Sequence, residues 1–168
     1  PLIIAAEGFE EIVKEQCDEI AFDYEELLLE REGRNTAAAA LVAALWAKGR
    51  GENYPLLICP CDHYVADQYA FMRAVVDAAH TAEQGYLVTF GVVADRAETA
   101  YGYIEVGMRL DAGYSGHKVG SFIEKPNRER AQELLDAGRF VWNAGIFCVT
   151  PELLLKEIDI HSPDHMKP

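Results

Sequence analysis

The 168-residue sequence lacks long apolar runs and has few basic side chains. No stretch approaches the ~20 consecutive apolar residues that a membrane-spanning helix needs. Fifteen Lys and Arg residues stand against 28 Asp and Glu, so the formal net charge is −13. A protein that binds nucleic acid without sequence preference neutralises phosphates with a basic surface. The sequence therefore predicts neither a membrane protein nor a nucleic-acid-binding protein.

Cysteine is scarce, and its spacing is unlike that of a zinc site. The four cysteines form neither a C-x-x-C pair nor a zinc-ligand pattern. Cys17, Cys59 and Cys148 lie in apolar surroundings and are predicted to be small buried side chains. A thiolate metal site at Cys59 and Cys61 is the alternative. Free buried thiols are typical of a reducing compartment, so we expect a cytoplasmic protein.

Half of the residues are apolar and 26% are charged, which is typical of a globular protein. The negative charge is concentrated in residues 7–32, which contain eleven acidic and two basic side chains. A solvated helix face followed by a surface loop explains such a run, and a partner-docking patch is the alternative. No internal repeat or linker is recognisable, so residues 1–168 are predicted to form a single domain or part of one.

Apolar runs of strand length alternate with segments of helical periodicity along the whole chain. Strands are predicted at 2–6, 27–29, 56–59, 87–93, 101–106, 119–124 and 142–149. Helices are predicted at about 9–20, 35–48, 67–84, 128–137 and from residue 151. This alternation predicts an α/β, Rossmann-like fold with a mainly parallel sheet flanked by helices. Ligands of such sheets bind at the carboxyl ends of strands, so the residues that follow the strands are candidates for a site.

One candidate segment, Gly33, Arg34, Asn35 and Thr36, lies between a predicted strand and the alanine-rich helix that follows. A helix N-terminus presents free N–H groups and a partial positive charge, which suit an anion or the polar edge of a base. Arg34 adds a planar cation, and Asn35 adds a donor and an acceptor. A plain turn with an N-cap at Asn35 or Thr36 is the alternative.

A second candidate, Asp62, follows the strand at 56–59. A carboxylate at that point can hold Mg²⁺, which takes oxygen ligands and bridges phosphates. A turn or helix-cap role for Asp62 is the alternative, and the neighbouring His63 is more simply explained by a structural hydrogen bond.

Four further candidates lie within or after the later strands. Gly102 interrupts a strand pattern, which indicates a bulge or a close backbone approach to a ligand, with aromatic core packing as the alternative. Glu124 can accept hydrogen bonds from sugar hydroxyls and Lys125 can neutralise a phosphate, although an exposed Glu–Lys pair is also common. A buried Asn143 needs hydrogen-bond partners, and a sugar could supply them.

Five motifs, taken in order, resemble those of the mannose-1-phosphate guanylyltransferase family. They are Glu-Gly-Arg-Asn-Thr-Ala, Cys-Pro-Cys-Asp-His, Tyr-Gly-Tyr-Ile, Phe-Ile-Glu-Lys-Pro and Trp-Asn-Ala-Gly-Ile-Phe. The resemblance extends from Pro1 to about Pro168 and implies a fold of the nucleotide-diphospho-sugar transferase type, incomplete in this chain. Departures from the family pattern are confined to apolar or small positions and leave the polar ones intact. They are Cys59, Cys61, Ala38, Ala144 and Ile146.

The resemblance implies that GTP and mannose 1-phosphate react to give GDP-mannose and pyrophosphate. It assigns nucleotide binding to Gly33, Arg34, Asn35 and Thr36. It assigns Mg²⁺ to Asp62, and mannose and its phosphate to Gly102, Glu124, Lys125 and Asn143. Asp62 and Lys125 are the expected catalytic residues. The family's glycine-rich phosphate loop and second metal-binding aspartate have no counterpart in residues 1–168, so we expect this chain to be inactive alone.

Two other functions remain open on the sequence. The chain could belong to another sugar-phosphate nucleotidyltransferase with a different base or sugar. It could instead be a non-catalytic domain that binds a sugar nucleotide or docks a partner, which the acidic run and the missing loop would favour. The sequence leaves homo-oligomerisation open, and it does not decide whether an isomerase domain follows.

Overall fold

A computed structural model of the protein describes residues 1–33, 35–110 and 116–162. The chain divides into two compact units. The first unit contains Pro1–Glu52 and the chain from Leu155 onward, and the second contains Asn53–Leu154. No helix of the described ranges is both long and apolar enough to cross a membrane.

Every predicted strand and helix is present in the described residues, with ends displaced by at most a few positions. The elements of the first half are β1 (Leu2–Ala6), α1 (Glu10–Glu19), β2 (Glu26–Glu30), α2 (Asn35–Gly49), β3 (Leu56–Ile58) and α3 (Gln68–Glu83). Those of the second half are β4 (Val88–Val93), β5 (Tyr103–Arg109), β6 (His117–Ile123), α4 (Arg128–Asp136), β7 (Phe140–Val149) and α5 (Pro151–His161).

In the first unit, β1 and β2 form a parallel pair joined through α1. Their register places Leu2 beside Glu26 and Ala6 beside Glu30. Helix α2 buries Ala40, Leu41, Ala44 and Ala47, a spacing that puts these small side chains on one helical face. The β1–α1–β2 segment is thus the parallel unit that the alternation of strand and helix predicted.

The second unit contains a five-stranded sheet in which β7 pairs with β3, β4 and β5, and β5 also pairs with β6. All these pairings are antiparallel. The mixed α/β class is therefore confirmed, but the expectation of a mainly parallel sheet does not describe this unit. Strands β3 and β4 do run in the same direction, with α3 between them in sequence. Strand β7 lies between them and runs the opposite way.

Helices α3 and α4 cover one side of this sheet. Ala78 and Ala82 of α3 pack near Cys148, and Ala131 and Leu134 of α4 pack against Tyr103 and Trp142. Because side chains alternate along a strand, Asn143 projects from the opposite side of β7 to Trp142. We call the side that carries Trp142 and Cys148 the packed face, and the side that carries Asn143 the open face.

The predicted burial of the cysteines is wrong for one of them. Cys17 and Cys148 are buried as predicted, but Cys59 is exposed. Strand β3 ends at Ile58, so Cys59 lies where the chain leaves the sheet toward Pro60 and an apolar sequence context no longer implies burial. Partial desolvation still raises the pKa of the Cys59 thiol.

Candidate functional site

The predicted nucleotide-binding segment lies in the first unit, where β2 leads into α2. Gly33, Asn35 and Thr36 are exposed there, whereas Arg34 lies outside the described residues. Asn35 adopts a φ of +63°, in the left-handed region that asparagine tolerates better than most residues. Helix α2 begins at Asn35 directly after a residue outside the described ranges, so the expected N-cap at Asn35 or Thr36 stays a prediction. The predicted helix is nevertheless present, with 15 residues and an exposed N-terminus.

The other candidates lie in the second unit, around an irregularity in β7. Thr89 of β4 pairs with Phe147, but Gly91 pairs with Asn143, so three residues of β7 oppose Phe90 alone. Extra residues in one strand form a β-bulge, a feature common beside functional sites. Gly145 lies inside this bulge with a φ of +69°, a conformation that favours glycine.

Asn143 is held by hydrogen bonds from both neighbouring strands and from the bulge. Its side-chain Oδ1 accepts from the Thr89 hydroxyl at 2.9 Å and from the Gly145 backbone N–H at 3.2 Å. Its own backbone N–H donates to the Gly102 carbonyl at 2.8 Å. A backbone N–H can only donate, so the group that faces Gly145 is the amide oxygen. The amide nitrogen Nδ2 therefore points away, and it has no acceptor among the described residues.

Gly102 lies between Asn143 and Glu124 at the beginning of β5. A Cβ placed on Gly102 would come within 2.9 Å of Glu124 Oε2 and 3.0 Å of Phe122 Cζ. A close approach to the Gly102 backbone is therefore present, but side chains of the protein itself make it, Phe122 of β6 and Glu124 after it. The approach of a ligand to this glycine stays a prediction. Gly102, Glu124 and Asn143 thus form one patch on the open face.

The aromatic residues on either side of Gly102 pack as the alternative interpretation expected. Tyr103 is fully buried, and its hydroxyl donates to the Glu98 carbonyl while accepting from the Glu98 N–H, both at 2.9 Å. Tyr101 contacts the edge of Trp142, with ring centroids 5.3 Å apart. These contacts fix the beginning of β5 and hence the position of Gly102.

Lys125 follows Glu124 where β6 ends. Its φ of +40° is uncommon for a residue other than glycine, and such strain is found most often at functional sites. The Lys125 Nζ lies 3.7 Å from Glu124 Oε1, and both side chains are more than half exposed. Because both side chains are exposed, they are accessible to a ligand. An exposed ion pair of this kind also contributes little to stability.

Asp62 lies in an exposed turn after β3. The turn begins beside the bulge, because Ile58 pairs with Phe147 and a Cβ on Gly145 would lie 3.8 Å from Pro60 Cγ. In the described ranges, no three His, Cys, Asp or Glu side chains group into a metal-binding cluster. Asp62 therefore offers a single exposed carboxylate two residues after Pro60, which lies beside the bulge.

Thr89 is a residue of this region that the sequence analysis missed. It lies in an otherwise apolar strand, Val-Thr-Phe-Gly-Val-Val, whose one hydroxyl and one glycine were the available signal. The glycine, Gly91, is required sterically, because a Cβ there would collide with Val141 Cγ2. Periodicity alone cannot reveal that Thr89 faces Asn143, since their pairing depends on the bulge.

Two carboxylates outside the patch have shifted acidities. The backbone N–H groups of Ala100 and Thr99 lower the pKa of Glu98 by hydrogen bonding to its ionised form. The Ser121 hydroxyl and the Arg139 guanidinium lower the pKa of Glu105 in the same way. Both groups therefore stay ionised at neutral pH and act as structural acceptors.

Comparison with known proteins shows which family the chain resembles. The profile of the nucleotidyl transferase family matches residues 1–166. The alginate biosynthesis protein AlgA of Pseudomonas aeruginosa is 38% identical over 164 residues, covering 98% of this chain and 34% of the relative. A mannose-1-phosphate guanylyltransferase of Klebsiella pneumoniae is 38% identical over 165 residues, covering 98% and 35%.

A solved structure from Thermus thermophilus, titled mannose-1-phosphate geranyltransferase, is also similar. It superposes with a TM-score of 0.85 at 35% identity over 98% of this chain and 46% of that chain. The chain belongs to the nucleotidyl transferase family. It spans about a third of the length of the curated relatives named above.

Proposed function

We propose that the natural protein carrying this chain transfers a guanylyl group from GTP to mannose 1-phosphate, giving GDP-mannose and pyrophosphate. The main support is that Gly102, Glu124 and Asn143 are neighbours on the open face, where Glu124 is exposed, Asn143 is partly buried and Gly102 is buried. The family match and the name of the Klebsiella relative support the same reaction class and substrate.

The reaction needs positioning more than covalent chemistry by the protein. A phosphate oxygen of mannose 1-phosphate attacks the α-phosphorus of GTP, the bond to the β-phosphate breaks, and pyrophosphate leaves. No covalent enzyme intermediate is required. The residues of this chain contribute by binding the substrates and by balancing negative charge.

In this proposal, the patch on the open face binds the sugar phosphate. The Glu124 carboxylate accepts hydrogen bonds from sugar hydroxyls, and Asn143 Nδ2 donates one. Gly102 has no side chain, which lets the Glu124 carboxylate lie directly beside its backbone. Lys125 Nζ, exposed beside Glu124, pairs with the phosphate as a point charge.

The beginning of α2 binds the nucleotide in the same proposal. The free N–H groups at the helix N-terminus suit a phosphate or the polar edge of guanine. Gly33 lets a ligand approach the backbone, because a Cβ there would meet nothing within 4 Å. Asn35 and Thr36 offer exposed polar side chains, and Arg34 is assigned here by the resemblance alone.

Asp62 fits a magnesium site completed by substrate. Mg²⁺ in enzymes of this type is commonly held by one or two carboxylates together with phosphates and water. The single exposed carboxylate of Asp62 meets that requirement. When bound, the ion would neutralise charge on the phosphates of GTP.

The test is nucleotidyl transfer by the natural protein, measured as pyrophosphate release with a panel of nucleoside triphosphates and hexose 1-phosphates. We expect GTP with mannose 1-phosphate to give the highest kcat/KM. Asp62→Asn should lower kcat by on the order of 100-fold. Lys125→Ala should raise the KM for mannose 1-phosphate about tenfold or more, because a charge-assisted hydrogen bond is lost.

Matched control variants are Asp159→Asn and Lys156→Ala, two exposed residues of α5. Both should keep the parent kinetics. Full activity of Asp62→Asn together with an unchanged KM in Lys125→Ala would refute the residue assignments. Turnover with another base or sugar would identify a different nucleotidyltransferase. Calorimetric binding of GDP-mannose without turnover would identify a binding domain.

We also propose that the protein acts in the cytoplasm. All four cysteines are free, and two of them are buried. Unpaired buried thiols are typical of a reducing compartment.

A further inference from the structure

We propose that Thr89 is a positioning residue that orients the Asn143 amide toward the sugar phosphate. The inference rests on the proposed function of the patch, and it adds a residue that the motifs do not contain. Thr89 lies on β4, an edge of the sheet, whereas Gly102 precedes β5, Glu124 follows β6 and Asn143 lies within β7.

The geometry of the Asn143 oxygen carries the proposal. Oδ1 has two lone pairs, and it accepts from Thr89 Oγ1 at 2.9 Å and from the Gly145 N–H at 3.2 Å. With both lone pairs used, the amide plane is fixed and Nδ2 can only donate outward. Without the Thr89 hydroxyl, the Gly145 N–H alone would hold the amide, which could then rotate about its axis.

The hydrogen bond between Thr89 and Asn143 lies beside the bulge in β7. Across regular antiparallel strands, Thr89 would stay opposite Phe147 and lie far from Asn143. The extra residues of β7 between Asn143 and Phe147 shorten that separation, because they fold back at Gly145. The second hydroxyl contact, to the Ile146 carbonyl at 3.4 Å, also lies within the bulge. Thr89 therefore joins β4 to the irregular part of β7 that presents Asn143.

The steric requirement at Gly91 maintains the same register. Gly91 pairs with Asn143 two positions after Thr89, and a Cβ there would collide with Val141. β4 can therefore lie close enough to β7 for the Thr89 hydroxyl to reach the amide. Asn143 is only partly buried, so its Nδ2 is accessible to a ligand.

The experiment compares Thr89→Val, which removes the hydroxyl and keeps the shape, with Thr89→Ser, which keeps the hydroxyl. Both are made in the natural protein, alone and combined with Asn143→Ala. We expect Thr89→Val to raise the KM for mannose 1-phosphate about five- to tenfold, with kcat and the KM for GTP little changed. Thr89→Ser should retain most of the affinity for mannose 1-phosphate. In the Asn143→Ala background, Thr89→Val should have no further effect, because the group it orients is gone.

Thr81→Val is the matched structural control. The Thr81 hydroxyl donates to the Asp77 carbonyl at 2.8 Å within α3, away from the patch. This variant should lower the thermal midpoint without changing the KM for mannose 1-phosphate.

A parent-like KM in Thr89→Val, an equal defect in Thr89→Ser, or an undiminished effect in the Asn143→Ala background would each overturn the positioning role. If Thr89→Val does not fold, Thr89→Ala is carried through the same cycle, and the same three outcomes decide. Failure of the parent protein to use mannose 1-phosphate would instead refute the proposed function, so the two failures are distinguishable.

Discussion

Consecutive residues of β7 lie on opposite faces of the sheet and are held by different interactions. On the packed face, Trp142 is 7% exposed and lies in a cluster with Tyr103, Ala131 and Leu134. The Arg96 guanidinium covers its ring at 4.8 Å. On the open face, Asn143 is only partly buried, and its position is set by hydrogen bonds rather than by apolar contacts.

The polar atoms of these two residues show the difference most clearly. Trp142 Nε1 is buried without a hydrogen-bond partner among the described residues. Asn143 Oδ1 has two donors, and Nδ2 remains available. The apolar area of a large buried indole can offset one unpaired N–H, which costs about 1–3 kcal/mol. The partly buried Asn143 amide has no such compensation, and two specific donors fix its orientation instead.

The largest expected effect is a loss of stability when a side chain of the packed face is truncated. Leu134→Ala, at a side chain that is 2% exposed beneath Trp142, should reduce the free energy of unfolding by about 2–5 kcal/mol. The KM for mannose 1-phosphate, measured in the natural protein at a temperature where the variant stays folded, should change little. Leu87→Ala, at a half-exposed leucine of the same unit, is the control and should cost much less. Equal stability losses in the two variants would contradict this packing.

A smaller effect, confined to binding, is expected on the open face. Gly102→Ala places a methyl group 2.9 Å from Glu124 Oε2 and should displace that carboxylate. Because Glu124 is exposed and can move, the thermal midpoint should stay close to the parent value. The KM for mannose 1-phosphate should rise about tenfold or more, since a displaced carboxylate loses its charge-assisted hydrogen bonds to the sugar.

The matched control for this variant is Gly49→Ala in α2, where an added Cβ meets nothing within 4 Å. It should leave the KM unchanged. An unchanged KM in Gly102→Ala as well would show that the sugar phosphate does not bind at this patch.

The smallest expected effect is the change in stability when the unpaired indole N–H of Trp142 is removed. Trp142→Phe removes the unpaired N–H while it gives up part of the buried ring area. We expect these two terms to cancel to within about 1 kcal/mol in the free energy of unfolding, measured by denaturant titration. A loss of several kcal/mol, approaching the ~3–5 kcal/mol typical of Trp→Ala, would mean that the indole N–H has a partner in solution.

The local elements of the fold can be predicted from sequence because each depends on a short pattern. The bounds predicted for strand β1 match the observed ones, and the Thr-Pro-Glu start of α5 is recognisable from its cap and proline. In the structure, the Thr150 hydroxyl accepts from the Leu153 N–H at 3.4 Å. The direction of the sheet cannot be predicted in this way, because strand order depends on which distant segments pair.

The candidate site can be predicted in part. The glycine at 102 and the amide at 143 are recognisable as unusual residue types within apolar strands. The structure places Asn143 beside Gly102, and Gly102 beside Glu124. The predicted burial of Cys59 is wrong, because β3 ends earlier than its apolar run. Thr89 was missed, since its role depends on a bulge in a strand more than fifty residues away.

The alternation of strands and helices, the family motifs and the polar residue types available for a site can all be read from the amino-acid sequence. These follow from local periodicity and from side-chain chemistry, which each residue carries wherever it lies. The position of β7 between β3 and β4, and the contact of Thr89 with Asn143 beside the bulge, are known from the folded chain alone. Long-range pairing brings those groups together, and no local pattern encodes the partner of a strand or the register at which it pairs.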